Sequence, residues 1–269
     1  MKKILIIGKR GFIGTNLYKY LKKYFYVRNI SFKDLIKYKK KFDDFNFIIN
    51  TSINKNYISN KYHSSLDNDI RISKNIKNKD AIYCFISTRK VYPCKPNLKE
   101  NTKVYPLDNY AKNKLITEKK LKTKFKRNLL ILRVSNLIGY TKSLNRIHKT
   151  FVDIFLENAK KGIIFYNSDV YKDFLSIDKF CQIIKCIIKK KILGTYNVSV
   201  GQKVYINDLV SWLNKYNSKK IKKIKKNFNK NDSFYLNNKK LMSKIKISNN
   251  LSDLQNYCYR FSKNEFLNH

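Results

Sequence analysis

Acidic residues are scarce in this chain. Only 18 Asp and Glu stand against 59 Lys and Arg in 269 residues, a formal charge of +41. Glycine (7) and proline (3) are rare too, which excludes collagen-like and linker-rich chains. No stretch of about 18 uncharged apolar residues occurs, so no membrane-spanning helix is expected. The five cysteines, Cys84, Cys94, Cys181, Cys186 and Cys258, form no CxxC pair and have no histidine cluster beside them. Neither a metal site nor a disulfide framework is expected, and the thiols should be reduced. The apolar run Ile4–Ile7 is too short for a secretory leader and runs into Gly-Lys-Arg-Gly, so a cytoplasmic location is expected. What is plentiful is hydrophobic (43%) and aromatic (14%) side chains, enough for a packed core in one large or two small lobes. The lysines run along the whole chain instead of forming one stripe, so no specific nucleic-acid partner is expected. Abundant Lys, Asn, Ile, Tyr and Phe have A/T-rich codons, and composition bias accounts for much of the charge; steering of an anionic ligand is the alternative.

Periodicity organises the first half. Short apolar runs at Lys3–Ile7, Phe25–Ile30, Phe45–Thr51, Ala81–Ser87 and Leu129–Val134 read as strands, and Phe12–Lys23 and Tyr110–Lys124 as helices. The alternation predicts an α/β fold of Rossmann type, a doubly wound parallel sheet with ligands at the carboxyl ends of its strands. Further on, Ile147–Lys160, Ile177–Lys190 and Ile206–Tyr216 read as helices and Gly194–Val198 as a strand, while Lys219–Lys230 reads as a solvated surface segment. The expected division is a dinucleotide-binding domain over 1–140, with 174–200 returning to it, and a smaller interleaved substrate lobe over 141–269.

The sequence Gly8-Lys9-Arg10-Gly11-Phe12-Ile13-Gly14 falls between the first strand and the first helix. The first glycine makes the tight turn, the second lets the backbone approach a pyrophosphate, and the third lets helix pack on sheet. Three of the chain's seven glycines lie in this one loop, which favours a dinucleotide site over a merely structural turn. No acid lies in Phe25–Phe32 to grip a ribose diol, whereas Arg28 lies within it and Arg10 within the loop. Arginine suits a phosphate monoester, so NADP(H) is preferred, with NAD(H) as the alternative if both arginines are incidental charges.

Tyr110 and Lys114 stand four apart at the start of a helix and share one face. The same spacing recurs at Tyr18/Lys22, Tyr57/Lys61, Tyr216/Lys220 and Tyr235/Lys239, so spacing alone singles out nothing. The setting does: Tyr110 follows a strand ending Ser87-Thr88, whose hydroxyls should reach the same crevice.

Taken together these segments resemble the extended short-chain dehydrogenase/reductases, the NAD-dependent epimerase/dehydratase family, over about residues 2–215. The resemblance rests on the glycine loop, Ile86–Pro93, Tyr110/Lys114, Arg133–Gly139, Lys172–Asp178 and Gly194–Gly201. It implies that Tyr110 exchanges a proton with a sugar oxygen, that Lys114 holds the nicotinamide ribose, and that Thr88 hydrogen-bonds the same oxygen. It implies a nucleotide-sugar substrate facing Asn136 and Lys172, for which a loop-capping role and a solvated lysine are the alternatives. Departures narrow the reaction. Arg89 and Lys90 follow Thr88 where dehydratases of the family carry Asp-Glu and the fucose-forming enzymes a Cys. His148 falls near the latter's partner histidine, but with no thiol it reads as a substrate-loop or surface residue. A strand after Lys40 looks to be missing. The expectation is an NADP(H)-dependent reductase of a nucleotide-diphosphate 4-keto sugar, with an NAD-dependent 4-epimerase as its near rival. A non-catalytic nucleotide- or RNA-binding member of the fold is the rival from another class. Homodimerisation through the helices after the third and fourth strands is a further implication of the resemblance.

Overall fold

The computed structural model describes residues 1–35, 42, 44–139, 151–166, 169–225 and 232–267. Its strands are β1 (Lys3–Ile7), β2 (Tyr26–Ile30), β3 (Phe47–Asn50), β4 (Ile82–Thr88), β5 (Leu129–Val134), β6 (Asn136–Ile138), β7 (Ile163–Tyr166), β8 (Tyr171–Lys172), β9 (Phe174–Ser176), β10 (Gly194–Val198), β11 (Val204–Tyr205) and β12 (Lys222–Lys225). Its helices are α1 (Phe12–Leu21), α2 (Lys55–Ser59), α3 (Asn68–Ser73), α4 (Asn109–Phe125), α5 (Phe151–Lys160), α6 (Ile177–Lys190), α7 (Ile206–Leu213), α8 (Lys239–Ile245) and α9 (Leu251–Phe266).

Among the described residues the central sheet has six strands, all parallel, in the order β10-β5-β4-β3-β1-β2. It is apolar on both faces. Ile4 and Ile6 of β1 join the core beneath α1 and α6, while Leu5 and Ile7 join a second core with Tyr83, Phe85 and Leu121. This is why β1 reads as an unbroken apolar run instead of an alternating one. β10 and β2 are the edge strands of the sheet among the described residues.

The covering helices have local causes. In α6, Phe180, Ile183, Ile184, Ile187 and Ile188 recur at helical spacing and are buried, and the Ser176 hydroxyl caps the Lys179 amide at 3.2 Å. The helix ends at Lys191, in the left-handed conformation with φ 50°. α4 is capped by Asp108, whose carboxylate accepts from the Ala111 amide at 2.8 Å.

The rest of the chain is built from small pairs: β6 with β9, β8 with β11, and β7 with β12. The last pair corrects the reading of Lys219–Lys230 as a plain solvated segment. Lys222–Lys225 is a strand running parallel to Ile163–Tyr166, largely exposed. Strand pairing uses backbone groups, so lysine side chains on the open face do not prevent it. Residues 226–230 lie outside the described residues, as do His148 and the start of the Ile147–Lys160 helix. α9, closed by a capping box between Asn250 and Asp253, packs on α7 and escaped the sequence reading. No helix among the described residues is long and apolar enough to cross a membrane.

Candidate active site

The glycine loop joins β1 to α1, and its three glycines answer to different constraints. Gly8 has φ +128°, and a Cβ there would meet Thr51 Oγ1 at 2.1 Å. A Cβ on Gly14 would fall 2.3 Å from the Gly8 carbonyl oxygen and 2.6 Å from Thr51 Oγ1. Thr51, just past β3, is itself fixed by donating to the Ile7 carbonyl at 2.9 Å. Gly11 differs: a Cβ there has nothing nearer than the Gly8 carbonyl oxygen at 3.5 Å, an ordinary contact. Protein packing does not demand glycine at 11, whereas an approaching ligand would. Gly11 is also the N-cap of α1, which has no side-chain cap and no acid in its first turn. A bare positive helix end beside an exposed glycine fits a pyrophosphate, so these residues fit a dinucleotide. Gly14→Ala should therefore cost about 2 kcal/mol of stability through backbone overlap. Gly11→Ala should leave the thermal midpoint nearly unchanged yet weaken dinucleotide binding; thermal unfolding paired with a cofactor titration checks both.

Lys9 and Arg10 are exposed in this loop, and Phe12 and Ile13 open α1, half-buried. Arg28 lies inside β2 in register with Leu5, two residues short of the strand's end at Ile30. It is Ile30 whose carbonyl receives the Gly8 amide at 2.8 Å. The first acid after β2 is Asp34, whose carboxylate accepts from the Ser31 hydroxyl at 2.7 Å. It lies two residues beyond Phe25–Phe32, which itself carries no acid.

Thr88 ends β4, buried, with its hydroxyl accepting from the Lys90 amide at 3.2 Å. Tyr110 and Lys114 stand one turn apart on α4, with the Lys114 ammonium 6.0 Å from the Tyr110 ring centroid. The Lys114 ammonium donates to the Ile86 carbonyl at 2.9 Å and lies 4.5 Å from the Phe85 ring. This cation is thus anchored on β4 two residues before Thr88. Lys90 also lies near, 5.9 Å from the Tyr110 ring centroid, and is paired with Asp108 at 2.8 Å.

Behind this group lies a polar network that the sequence did not reveal. Asp67 caps α3 and accepts from the Tyr62 hydroxyl at 3.0 Å and the Thr117 hydroxyl at 2.5 Å; Thr117 in turn meets the Tyr57 hydroxyl at 2.7 Å. Asp69, also buried, accepts from Tyr83 at 2.8 Å. Burial above all pushes the Asp69 carboxyl up to about 6; the Lys114 charge pulls it the other way and Asp67 adds to the rise. Tyr57, one of the other tyrosines four residues before a lysine, is spent here: burial first, then Asp67, raises its phenol above the usual range.

One turn beyond Lys114, Glu118 forms a bidentate ion pair with Arg133 of β5, at 3.1 Å and 2.7 Å, and accepts from the Ser87 hydroxyl at 2.5 Å. Arg133 also donates to the Tyr92 hydroxyl at 2.8 Å, and Tyr92 to Asn197 at 3.0 Å. Arg133, Tyr92 and Asn197 thus brace the carboxyl ends of β4, β5 and β10. The signal for the pair was available in the sequence: Glu118 continues the four-residue spacing of Tyr110 and Lys114.

The two residues expected to face the sugar have different surroundings. The Asn136 amide nitrogen donates to the Asp173 carbonyl at 3.2 Å, a link between strands. Lys172, on β8, is half-buried. Burial first, then the Arg89 charge, lowers its ammonium below the usual range, with Asp232 opposing. Its neighbour Asp173 is fully buried and accepts amides from Val200 and Leu236 at 3.1 Å and 3.0 Å. Among the described residues no cluster of His, Cys, Asp and Glu could hold a metal ion.

The family model for the NAD dependent epimerase/dehydratase family matches residues 56–199. No curated protein matches the chain by sequence. Among solved structures, the chain is similar to the UDP-N-acetylglucosamine 4-epimerase of Methanobrevibacter ruminantium in complex with UDP-N-acetylmuramic acid (18% identity, 97% of each chain, TM-score 0.79). It is also similar to the dTDP-4-dehydrorhamnose reductase of Yersinia enterocolitica (19% identity, 97% of this chain and 100% of that one, TM-score 0.75). A third is the dTDP-glucose 4,6-dehydratase of Bacillus anthracis in complex with NAD (15% identity, 98% of this chain and 97% of that one, TM-score 0.75). At these identities the likeness is one of fold.

Proposed function

The chain belongs to the NAD dependent epimerase/dehydratase family, and from that membership we propose that it reduces the keto group of a nucleotide-diphosphate 4-keto sugar with NADPH. The observation that carries this reading is the grouping of Thr88, Tyr110 and Lys114 at the carboxyl end of β4, with Lys114 tied to the Ile86 carbonyl at 2.9 Å. Gly8, Gly11, Gly14 and the start of α1 would hold the dinucleotide. When bound, the nicotinamide supplies the hydride. Tyr110 gives its phenolic proton to the sugar oxygen as the carbonyl carbon becomes a carbinol carbon. Thr88 donates a hydrogen bond to that oxygen and keeps it in line. Lys114 holds the nicotinamide ribose and supplies positive charge beside the phenol as its proton leaves. Arg89 and Lys90, following Thr88, offer neither the carboxylates of water elimination nor a thiol. In this reading residues 1–140 with 174–200 bind the dinucleotide, and the remainder of 141–269 binds the sugar nucleotide, with Lys172 at the substrate.

Among proteins of similar fold, one is a 4-epimerase and another a dehydrorhamnose reductase, and the same three residues can serve either reaction. A 4-epimerase holding NAD is the second reading, supported by Asp34 near the end of β2, where a carboxylate would suit a ribose diol. Arg10 and Arg28 support the first. A fluorescence titration of nucleotide-stripped protein with NADPH and NADH separates them. Arg10→Ala should weaken NADPH about tenfold, the value of a charge-assisted phosphate contact, and leave NADH within about twofold. Equal losses for both would overturn the 2′-phosphate assignment.

A further inference from the structure

We infer that the sugar of the substrate carries a carboxylate and that Arg89 is the side chain that selects it. This deepens the nucleotide-sugar reading above and rests on it. Arg89 directly follows Thr88 and opens the short 3₁₀ turn Arg89–Val91. Its guanidinium packs on the ring of Phe234, with the ζ carbon 3.8 Å from the centroid, and Phe234 is fully buried. Among the described residues the guanidinium has a weak acceptor: Nη1 donates to the Cys94 sulfur at 3.4 Å. Nε is buried and has no hydrogen-bond partner among the described residues. No carboxylate among those residues forms an ion pair with Arg89; Asp108 pairs with Lys90 instead.

A guanidinium held on an aromatic ring with its buried Nε unspent is costly until an acceptor arrives. Two more cations stand near, Lys90 and Lys172, and the Arg89 charge is felt at Lys172. Lys90 is paired with Asp108, which also feels the Arg89 charge, and Asp232 acts on Lys172, so an arriving anion would meet a positive cluster that is only partly offset. A planar fork matches a carboxylate bidentately, and stacking on Phe234 fixes the fork before binding. The diphosphate is the other anion a sugar nucleotide offers, but it leaves from the anomeric carbon, across the ring from the oxygen that Thr88 engages. Arg89 is the chain neighbour of Thr88, and in this inference its charge lies on the reacting side of the sugar. There a carboxylate on C5, next to the reacting C4, is within its range.

The test is calorimetric titration of the full chain, loaded with its dinucleotide, with four sugar nucleotides: the glucose and glucuronate forms in both the UDP and the dTDP series. UDP and dTDP alone are controls, and Arg89→Gln and Arg89→Lys are titrated beside the wild type. In the wild type the glucuronate form should bind about tenfold tighter than the glucose form of the same series, the value of one charge-assisted pair. Arg89→Gln should erase that preference while leaving the glucose form and the dinucleotide within about twofold, and Arg89→Lys should restore part of it. Equal affinity for acid and neutral sugars in the wild type would overturn the inference and leave the nucleotide-sugar reading standing. Equal losses for all ligands in Arg89→Gln would also overturn it, assigning Arg89 to the diphosphate or to the fold. Failure of every nucleotide to bind would overturn both.

Discussion

Replacing Tyr110 with Phe should lower turnover about a thousandfold while leaving the dissociation constant of the dinucleotide within about twofold, in line with what a positioned general acid contributes. The substitution removes one oxygen and little else. Tyr110 is half-buried near the start of α4, and the aromatic ring that Lys90 and Lys114 approach at 5.9 Å and 6.0 Å remains. The helix keeps its Asp108 cap, and Lys114 keeps its bond to Ile86. A loss confined to kcat therefore reports the missing proton and not a displaced helix. Single-turnover kinetics with saturating dinucleotide would separate the two. Retention of more than about a tenth of the activity would remove Tyr110 from the proton-transfer step, and the Thr88 hydroxyl would become the next donor to test.

The largest effect on stability is expected at the other end of the same helical face. Glu118→Gln should destabilise the fold by about 3 kcal/mol, because it leaves the guanidinium of Arg133 buried without its counter-charge. The side chains of this pair are 1% and 6% exposed, so solvent cannot replace the lost carboxylate. Burial alone would lower the guanidinium pKa; the Glu118 carboxylate and the Tyr92 hydroxyl more than reverse that. The Ser87 hydroxyl is left with a neutral amide oxygen in place of a carboxylate, and Ser87 adjoins Thr88. The pair therefore fixes how α4 sits against the end of β4, which is the geometry on which Thr88, Tyr110 and Lys114 depend. Urea unfolding should show a lower midpoint at unchanged slope. The double variant Glu118→Leu with Arg133→Met should lose less than the two single losses combined, since no charge is then stranded. Strict additivity would mean that the two side chains contribute independently.

What could be read from the sequence alone is what depends on neighbours along the chain. The strand Lys3–Ile7, the glycine loop, the helix Ile177–Lys190 and the pairing of Tyr110 with Lys114 each rest on a periodicity or a spacing within about two turns of chain. The chemistry of those segments is local, and so the parallel α/β fold and the glycine loop between β1 and α1 were legible. Lys222–Lys225 was not legible as a strand, because its partner Ile163–Tyr166 lies some sixty residues earlier and the pairing runs through backbone groups that side-chain patterns do not encode. The same holds around the site. Thr51 makes glycine obligatory at 8 and 14 from across the sheet. Asp67 finds its acceptor role for Thr117 fifty residues on, and Glu118 meets Arg133 on a different element. In the sequence Arg89 is only a departure from a pattern; its packing on Phe234, 145 residues further on, belongs to the tertiary structure. Sequence determined which residues could do chemistry; the tertiary structure decided which of them are anchored, paired or left with donors unspent. Burial, and the partners that burial brings together, are set by contacts between distant segments.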